Sequence, residues 1–287
     1  MPTIHDTAVI DPSAKIHDSA EIGPYCVIGP NVRIGADTVL HNHVTIQRLT
    51  TIGEENVFYP YVVVGADPQD RKFRGEQSTC IIGNGNHVRE HVTIHRGTEN
   101  GGGKTILGDE NLIMVASHIA HDCILGNRIT LANQVMLAGH VHVGDGASIG
   151  GGAGIHHFAT VGRCSFIGGL ARITKDVPPY MSVEGNPAEV RAVNSIAMTR
   201  HGMGDDHVDA MKSAFKRLYR ENGAAMQNKL VELRQQFESI PAVVELCDAL
   251  SATGDGVNGR ALENSRGDNK RAERTTTNPA TTNAAGS

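Results

Sequence analysis

The chain has 287 residues, a formal net charge of −5, 39% hydrophobic residues, 4% aromatics and no Trp. These values exclude a chain disordered throughout and a wholesale electrostatic binder of nucleic acid, and no apolar run approaches the ~20 residues of a membrane span. Length predicts one large domain or two smaller ones, with a core built from Ile, Val, Leu and Ala. Met1 to Val9 lacks a basic stretch followed by an apolar one, and the five Cys (26, 80, 123, 164, 247) form no CxxC pair, so the expected setting is a reducing cytoplasm with no secretory signal.

A period of six starts at once. Ile4, Ile10, Ile16, Ile22, Ile28, Ile34, Leu40, Ile46, Ile52, Phe58 and Val64 stand six apart, and Ile82, Val88 and Ile94 keep the phase. After 95–106 the phase slips by one, then runs from Leu107 through Ile113, Ile119, Leu125, Leu131, Leu137, Val143, Ile149, Ile155, Val161 and Ile167 to Ile173. Six is a multiple of the strand period of two but not of 3.6, so a helix would scatter these residues round its circumference. Short strands joined by tight corners keep each aliphatic inward, and stacked coils bury one continuous column. Gly often follows the aliphatic, and the fourth residue after it is usually small or β-branched. Cys26 and Cys123 hold that slot and are read as packing residues. Charged Gly65 to Cys80 and the segment His95 to Thr105 interrupt the coil as insertions.

The repeat is expected to end near Ile173, because ValProPro (177–179) cannot continue a strand ladder. Helices are predicted over Pro187–Arg200, Asp205–Arg220, Ala224–Ser239 and Pro241–Ser251. Thus 1–176 reads as a repeat domain, 177–252 as a helical domain and 253–287 as a disordered tail.

Nine of the fifteen His lie between His87 and His157. With 18 residues per coil, His121, Gly139 and His157 form one column. Asp122 and His140 form the next, and Ala120, Ala138 and His156 another. His118 precedes the same corner. His118, His121, Asp122, His140, His156 and His157 should therefore crowd one edge. Such an edge suits general-base work near neutral pH, zinc ligation or donation to substrate oxygens. His121 beside Asp122 permits a carboxylate to orient an imidazole. The absence of a P-loop removes nucleotide hydrolysis of the Walker type.

HisArgGly (95–97), GlyGlyGly (101–103), HisIleAlaHisAspCys (118–123), LeuAlaGlyHis (137–140), GlyIleHisHisPhe (154–158), AspValProProTyr (176–180) and GlyAsnProAla (185–188) occur together. Over about residues 1–250 the chain resembles the UDP-N-acetylglucosamine O-acyltransferases of lipid A biosynthesis. The resemblance implies a mainly β, left-handed parallel β-helix of hexapeptide repeats followed by a C-terminal helical region. It also implies a homotrimer with sites between subunits, and transfer of a 3-hydroxyacyl chain from acyl carrier protein to the glucosamine 3-hydroxyl of UDP-N-acetylglucosamine. No cofactor or metal is implied. By motif, His121 would be the general base, Asp122 its orienting partner and the Gly139 amide the oxyanion donor. Asp70, Lys72, His118, His140, His156 and His157 match substrate-binding positions; His157 stands where Gln is common. Asn194 and Arg200 match donor or nucleotide contacts, and Gly169 the position that limits acyl length. Ile196 and His201 replace an acidic and a basic residue of some members.

The related N-acyltransferase carries an extra N-terminal domain for which hexads starting at Ile4 leave no room. A γ-type carbonic anhydrase-like zinc enzyme is the alternative; it shares the repeat and the clustered His. A non-catalytic scaffold trimer would need neither the insertions nor the His edge.

Overall fold

A computed structural model describes residues 1–266. Three parallel sheets of short strands, with 11, 9 and 8 members, form the three faces of a β-helix. Thr45 pairs with Val63, and His118 with Met136, Gly154 and Arg172 in succession, each step being 18 residues. The two insertions explain the phase. Val57 pairs with His87, a step of 30 (18 + 12), which keeps a period of six. Thr93 pairs with His118, a step of 25 (18 + 7), which slips it by one.

The phased aliphatics from Ile22 to Ile173 line the interior and are almost wholly buried. Each contributes roughly 1.5–3 kcal/mol of transfer free energy. The first coil is looser, with Ile4 38% exposed. The fourth-residue slot at one corner holds buried Asn56, Asn86 and Asn111 instead of a small or β-branched residue. They form a hydrogen-bonded ladder in which the Asn86 amide donates to Asn56 Oδ1 and the Asn111 amide to Asn86 Oδ1, each at 2.9 Å. Cys26 and Cys123 pack inside as expected, and burial pushes the Cys123 thiol up to about 12.

Beyond the repeat, three expectations are corrected. The ladder does not stop at Ile173: Val177 bridges Val161, and Phe166 and Ile167 pair with Ser182 and Val183. Pro178 and Pro179 sit between those paired residues, where no ladder amide is needed. The helix expected over Pro187–Arg200 is mostly strand. Ala188–Val193 pairs antiparallel with Met181–Gly185, with Ala188 and Val190 half-buried and Glu189 and Arg191 exposed in strand alternation. Only Ser195–Arg200 is helical (α1), followed by α2 (Asp205–Tyr219), α3 (Met226–Gln236) and α4 (Pro241–Asp255). Finally, 253–266 is folded: α4 runs to Asp255 and a 3-10 turn covers Ala261–Ser265. The rest of the expected tail, 267–287, lies outside the described residues. No helix among the described residues is long and apolar enough to cross a membrane.

Candidate active site

Successive coils bring the His residues to the edge between the 9-stranded and the 8-stranded sheet. Asp122, His140 and Phe158 are the corner residues of three successive coils, with φ of 60°, 62° and 61°. That left-handed conformation costs about 1–2 kcal/mol per residue. Bonds from the His140 amide to His121 O (3.0 Å) and from the Phe158 amide to Gly139 O (3.2 Å) help to offset it.

Asp122 is the fixed point. Its side chain is fully buried. Oδ1 accepts from the Thr98 amide at 2.7 Å, while Oδ2 accepts from the Thr98 hydroxyl at 2.7 Å and lies 2.8 Å from His121 Nδ1. Thr98 comes from the second insertion, whose Gly101 packs directly on the carboxylate; a Cβ there would fall 2.0 Å from Asp122 Cγ. The middle residue run of GlyGlyGly thus has a close-approach role at its first member.

The acceptor Oδ2 fixes the tautomer: Nδ1 carries the proton and Nε2 of His121 keeps its lone pair. The His121 ring lies over Gly139, where a Cβ would meet Cε1 at 2.6 Å and Nε2 at 2.8 Å. Only glycine fits beneath that ring. His140 stands perpendicular to His121 (centroids 5.2 Å apart, 89°) and stacks on Phe158 (4.2 Å, 6°). His140 Nε2 is 3.8 Å from Asp122 Oδ2. Burial lowers the pKa of His140 and outweighs the opposing pull of Asp122.

The remaining His sit on either side. His118 Nδ1 lies 2.7 Å from the Thr93 hydroxyl, and its ring meets His95 edge-on at 4.9 Å. Burial, with His118 and His121 as like-charge neighbours, pushes His95 down to about 4. His156 and His157 pack together at 3.9 Å one coil further on, and burial holds His157 at about 4.

The first insertion supplies the facing wall. Buried Arg96 pairs with Asp67 at 2.6 Å and lies 5.2 Å from the centroid of Phe73, which pins this loop to the edge. Asp70 Oδ1 accepts from the Lys72 amide at 2.9 Å. Asp70 and Lys72 thereby line two adjoining cavities. One, of about 330 Å³, includes Thr98, Asp122 and His140; the other, of about 450 Å³, includes His121, Gly139 and His157.

Asn194 and Arg200 are not brought there within one chain. They line a separate cavity of about 530 Å³ with Arg128, Ile196 and His201, bordering the 11-stranded sheet. Asn194 caps α1, accepting from the Ala197 amide at 3.3 Å and donating to Cys164 O at 2.9 Å. Gly169 is exposed at a third corner, where a Cβ would meet Gly151 O at 3.3 Å. Thr98, His95 and Phe158 join the site without having been singled out by spacing, since two of them belong to the insertion.

His121, Asp122 and His140 offer ligand atoms within 4.8 Å of one another, a spacing that admits a cation. The carboxylate argues for another use. Asp122 Oδ2 already serves the Thr98 hydroxyl and His121 Nδ1, so ligation would break one of these bonds.

Coiled hexads carrying an imidazole cluster on one edge define a hexapeptide-repeat β-helix protein. The profile described as UDP N-acetylglucosamine O-acyltransferase, domain 2, matches residues 176–258, and that of the GMPPB C-terminal domain matches 4–99. The acyl-[acyl-carrier-protein]–UDP-N-acetylglucosamine O-acyltransferase of Agrobacterium fabrum is 39% identical over 88% of this chain and 93% of its own length. That of Thermodesulfovibrio yellowstonii is 41% identical over 90% and 99%. The solved structure of LpxA from Acinetobacter baumannii superposes with a TM-score of 0.82 at 42% identity, over 85% of this chain and 95% of that one. The chain belongs to the acyl-[acyl-carrier-protein]–UDP-N-acetylglucosamine O-acyltransferase family.

Proposed function

We propose that this chain transfers a 3-hydroxyacyl group from acyl carrier protein to the glucosamine 3-hydroxyl of UDP-N-acetylglucosamine, the first step of lipid A biosynthesis. Family membership supports the reaction, and the Asp122–His121–Gly139 arrangement is the observation that carries the mechanism. His121 Nε2 takes the proton of the sugar hydroxyl as its oxygen attacks the thioester carbonyl. The C–S bond then breaks and the pantetheine thiolate leaves, taking up a proton as the imidazolium returns to neutral. Asp122 orients the ring and stabilises its protonated form. The Gly139 amide, which has no acceptor among the described residues, serves the tetrahedral oxyanion. No acyl-enzyme is involved.

Asp70, Lys72, His118, His140, His156 and His157 are assigned to substrate binding round this edge. Asn194 and Arg200 lie on a different edge, so their role in the reaction requires a neighbouring subunit, in keeping with a homotrimer whose sites lie between protomers. Gly169 is assigned as the acyl ruler: Gly169→Met should shorten the preferred acyl chain, and an unchanged preference across a chain-length panel removes that assignment. The five free, buried thiols fit a reducing cytoplasm.

The direct test is an assay of purified protein with UDP-N-acetylglucosamine and a panel of 3-hydroxyacyl carrier proteins. A 3-O-acylated sugar nucleotide is the expected product; no transfer from any donor would refute the assignment.

A further inference from the structure

The run 95–98 joins the first insertion to the Asp122 corner. The Arg96 amide donates to Ala66 O at 3.1 Å, where that insertion starts, and the Gly97 amide to Thr79 O at 3.2 Å, where it ends. The next residue, Thr98, holds Asp122 through its amide and its hydroxyl, each at 2.7 Å. Between these anchors runs a loop whose backbone bonds are local. Asp70 Oδ1 accepts from the Lys72 amide at 2.9 Å, Asp70 O from the Phe73 amide at 3.1 Å and Glu76 Oε2 from the Arg74 amide at 2.7 Å. These bonds shape the turn without fixing where it stands. The Arg96 side chain reaches the loop from outside. It is 1% exposed; Nη2 lies 2.6 Å from Asp67 Oδ1, Nη1 donates to Gly65 O at 3.4 Å, and the guanidinium is 5.2 Å from the Phe73 centroid. Asp67 and Phe73 bracket Asp70 and Lys72, which line both cavities of the site.

We propose that Arg96 is a positioning residue for substrate binding: it clamps the first insertion on both sides of Asp70 and Lys72 and so holds them at the His edge. This rests on the transfer reaction proposed above and on the binding roles assigned there to Asp70 and Lys72. Stability alone gives little reason for a cation here. A buried guanidinium loses its hydration, and a well-packed apolar side chain in its place often leaves a protein as stable or more so. Burial pulls the Arg96 pKa below its ordinary value, against the opposing pull of Asp67. The Asp67 side chain is 67% exposed, so solvent screens the pair and it adds little to folding. What the guanidinium adds is direction. Its fixed plane meets a carboxylate and an aromatic ring at once, so one side chain holds both ends of the stretch 67–73.

The test compares the full-length chain with Arg96→Met and Arg96→Lys by steady-state kinetics, thermal melts and limited trypsin digestion. Arg96→Met should raise KM for UDP-N-acetylglucosamine about tenfold, with kcat within about threefold and Tm within about 3 °C of wild type. Exposed Arg71, Lys72 and Arg74 place trypsin sites in the loop itself. Cleavage there should be about tenfold faster in Arg96→Met, because proteolysis follows the released population. Arg96→Lys keeps the charge for Asp67 and should recover part of both effects. Should Arg96→Met fail to fold, Asp67→Ala, which trims an exposed side chain, carries the same two readouts. Unchanged KM for the sugar nucleotide with unchanged loop cleavage overturns the proposal, whatever Tm does, and so does a fall in kcat at constant KM. Wild type without transfer counts against the reaction itself; the digestion, which needs no substrate, then decides on Arg96, and cleavage equal to wild type overturns the clamp.

Discussion

Two edges of the same coil hold rings at equivalent corner positions and use them differently. On one, Tyr25, His43, Tyr61 and His91 form an open ladder, with centroids 5.0, 4.9 and 5.0 Å apart and planes within 12° of parallel. Each rung repeats the last, because the inter-strand spacing suits stacked rings. On the other, Asp122 takes the corner below His140. Its buried carboxylate turns His121 perpendicular to His140 and fixes the tautomer. The winding brings side chains into line on both edges. Burial of one acidic group against the second insertion sets the second line apart, and the proposed proton transfer rests on that difference.

Removing that acid should have the largest effect short of removing the base. Asp122→Asn is expected to lower kcat by about 10²–10⁴-fold, because an amide has one acceptor oxygen and cannot accept both from the Thr98 amide, now at Oδ1, and from the Thr98 hydroxyl and His121 Nδ1, now at Oδ2. A kcat within threefold of wild type would reduce the carboxylate to a packing role. Gly139→Ala comes next. Its methyl would lie 2.6 Å from the His121 ring, so kcat should fall by about ten- to a hundredfold, with far-ultraviolet circular dichroism unchanged. A fully active variant would mean that the ring stands elsewhere during turnover.

A smaller effect separates the edges by pH. His95 and His157 are held at about 4, and His118, His140 and His142 are also lowered, chiefly by burial. Below 6.5, the ordinary value, the unfolded chain takes up protons that the folded chain refuses, so stability is complete above pH 6.5 and is lost as pH falls towards 4. Thermal melts across that range should show Tm declining. His157→Gln should reduce the decline, and a slope identical to wild type would show that His157 takes no part in it. Substitution in the open ladder is the smallest: Tyr61→Ala should change turnover by less than about twofold, as read in the same transfer assay.

Much of this architecture was legible in the sequence because a rigid period leaves little freedom. The steps of 30 and 25 residues across the insertions agree with the kept and the slipped phase, and the 18-residue step puts Gly139 beside His121. What escaped is contact that no period encodes. Thr98 reaches Asp122 from an irregular insertion, and Arg260 meets Thr174 across 86 positions. The strand Ala188–Val193 reads as helix in the sequence because Pro187 resembles a helix start and the alternation covers only the four residues 188–191. The Asn ladder replaced the expected small residues because its amides satisfy one another and the corner carbonyls inside.

Turnover of UDP-N-acetylglucosamine with its best 3-hydroxyacyl carrier protein should be measured side by side for wild type, His121→Ala and His91→Ala. The account predicts a loss of at least ~100-fold for His121→Ala, the lower end for a general base, and near wild-type activity for His91→Ala. Comparable activity in the two variants would contradict it.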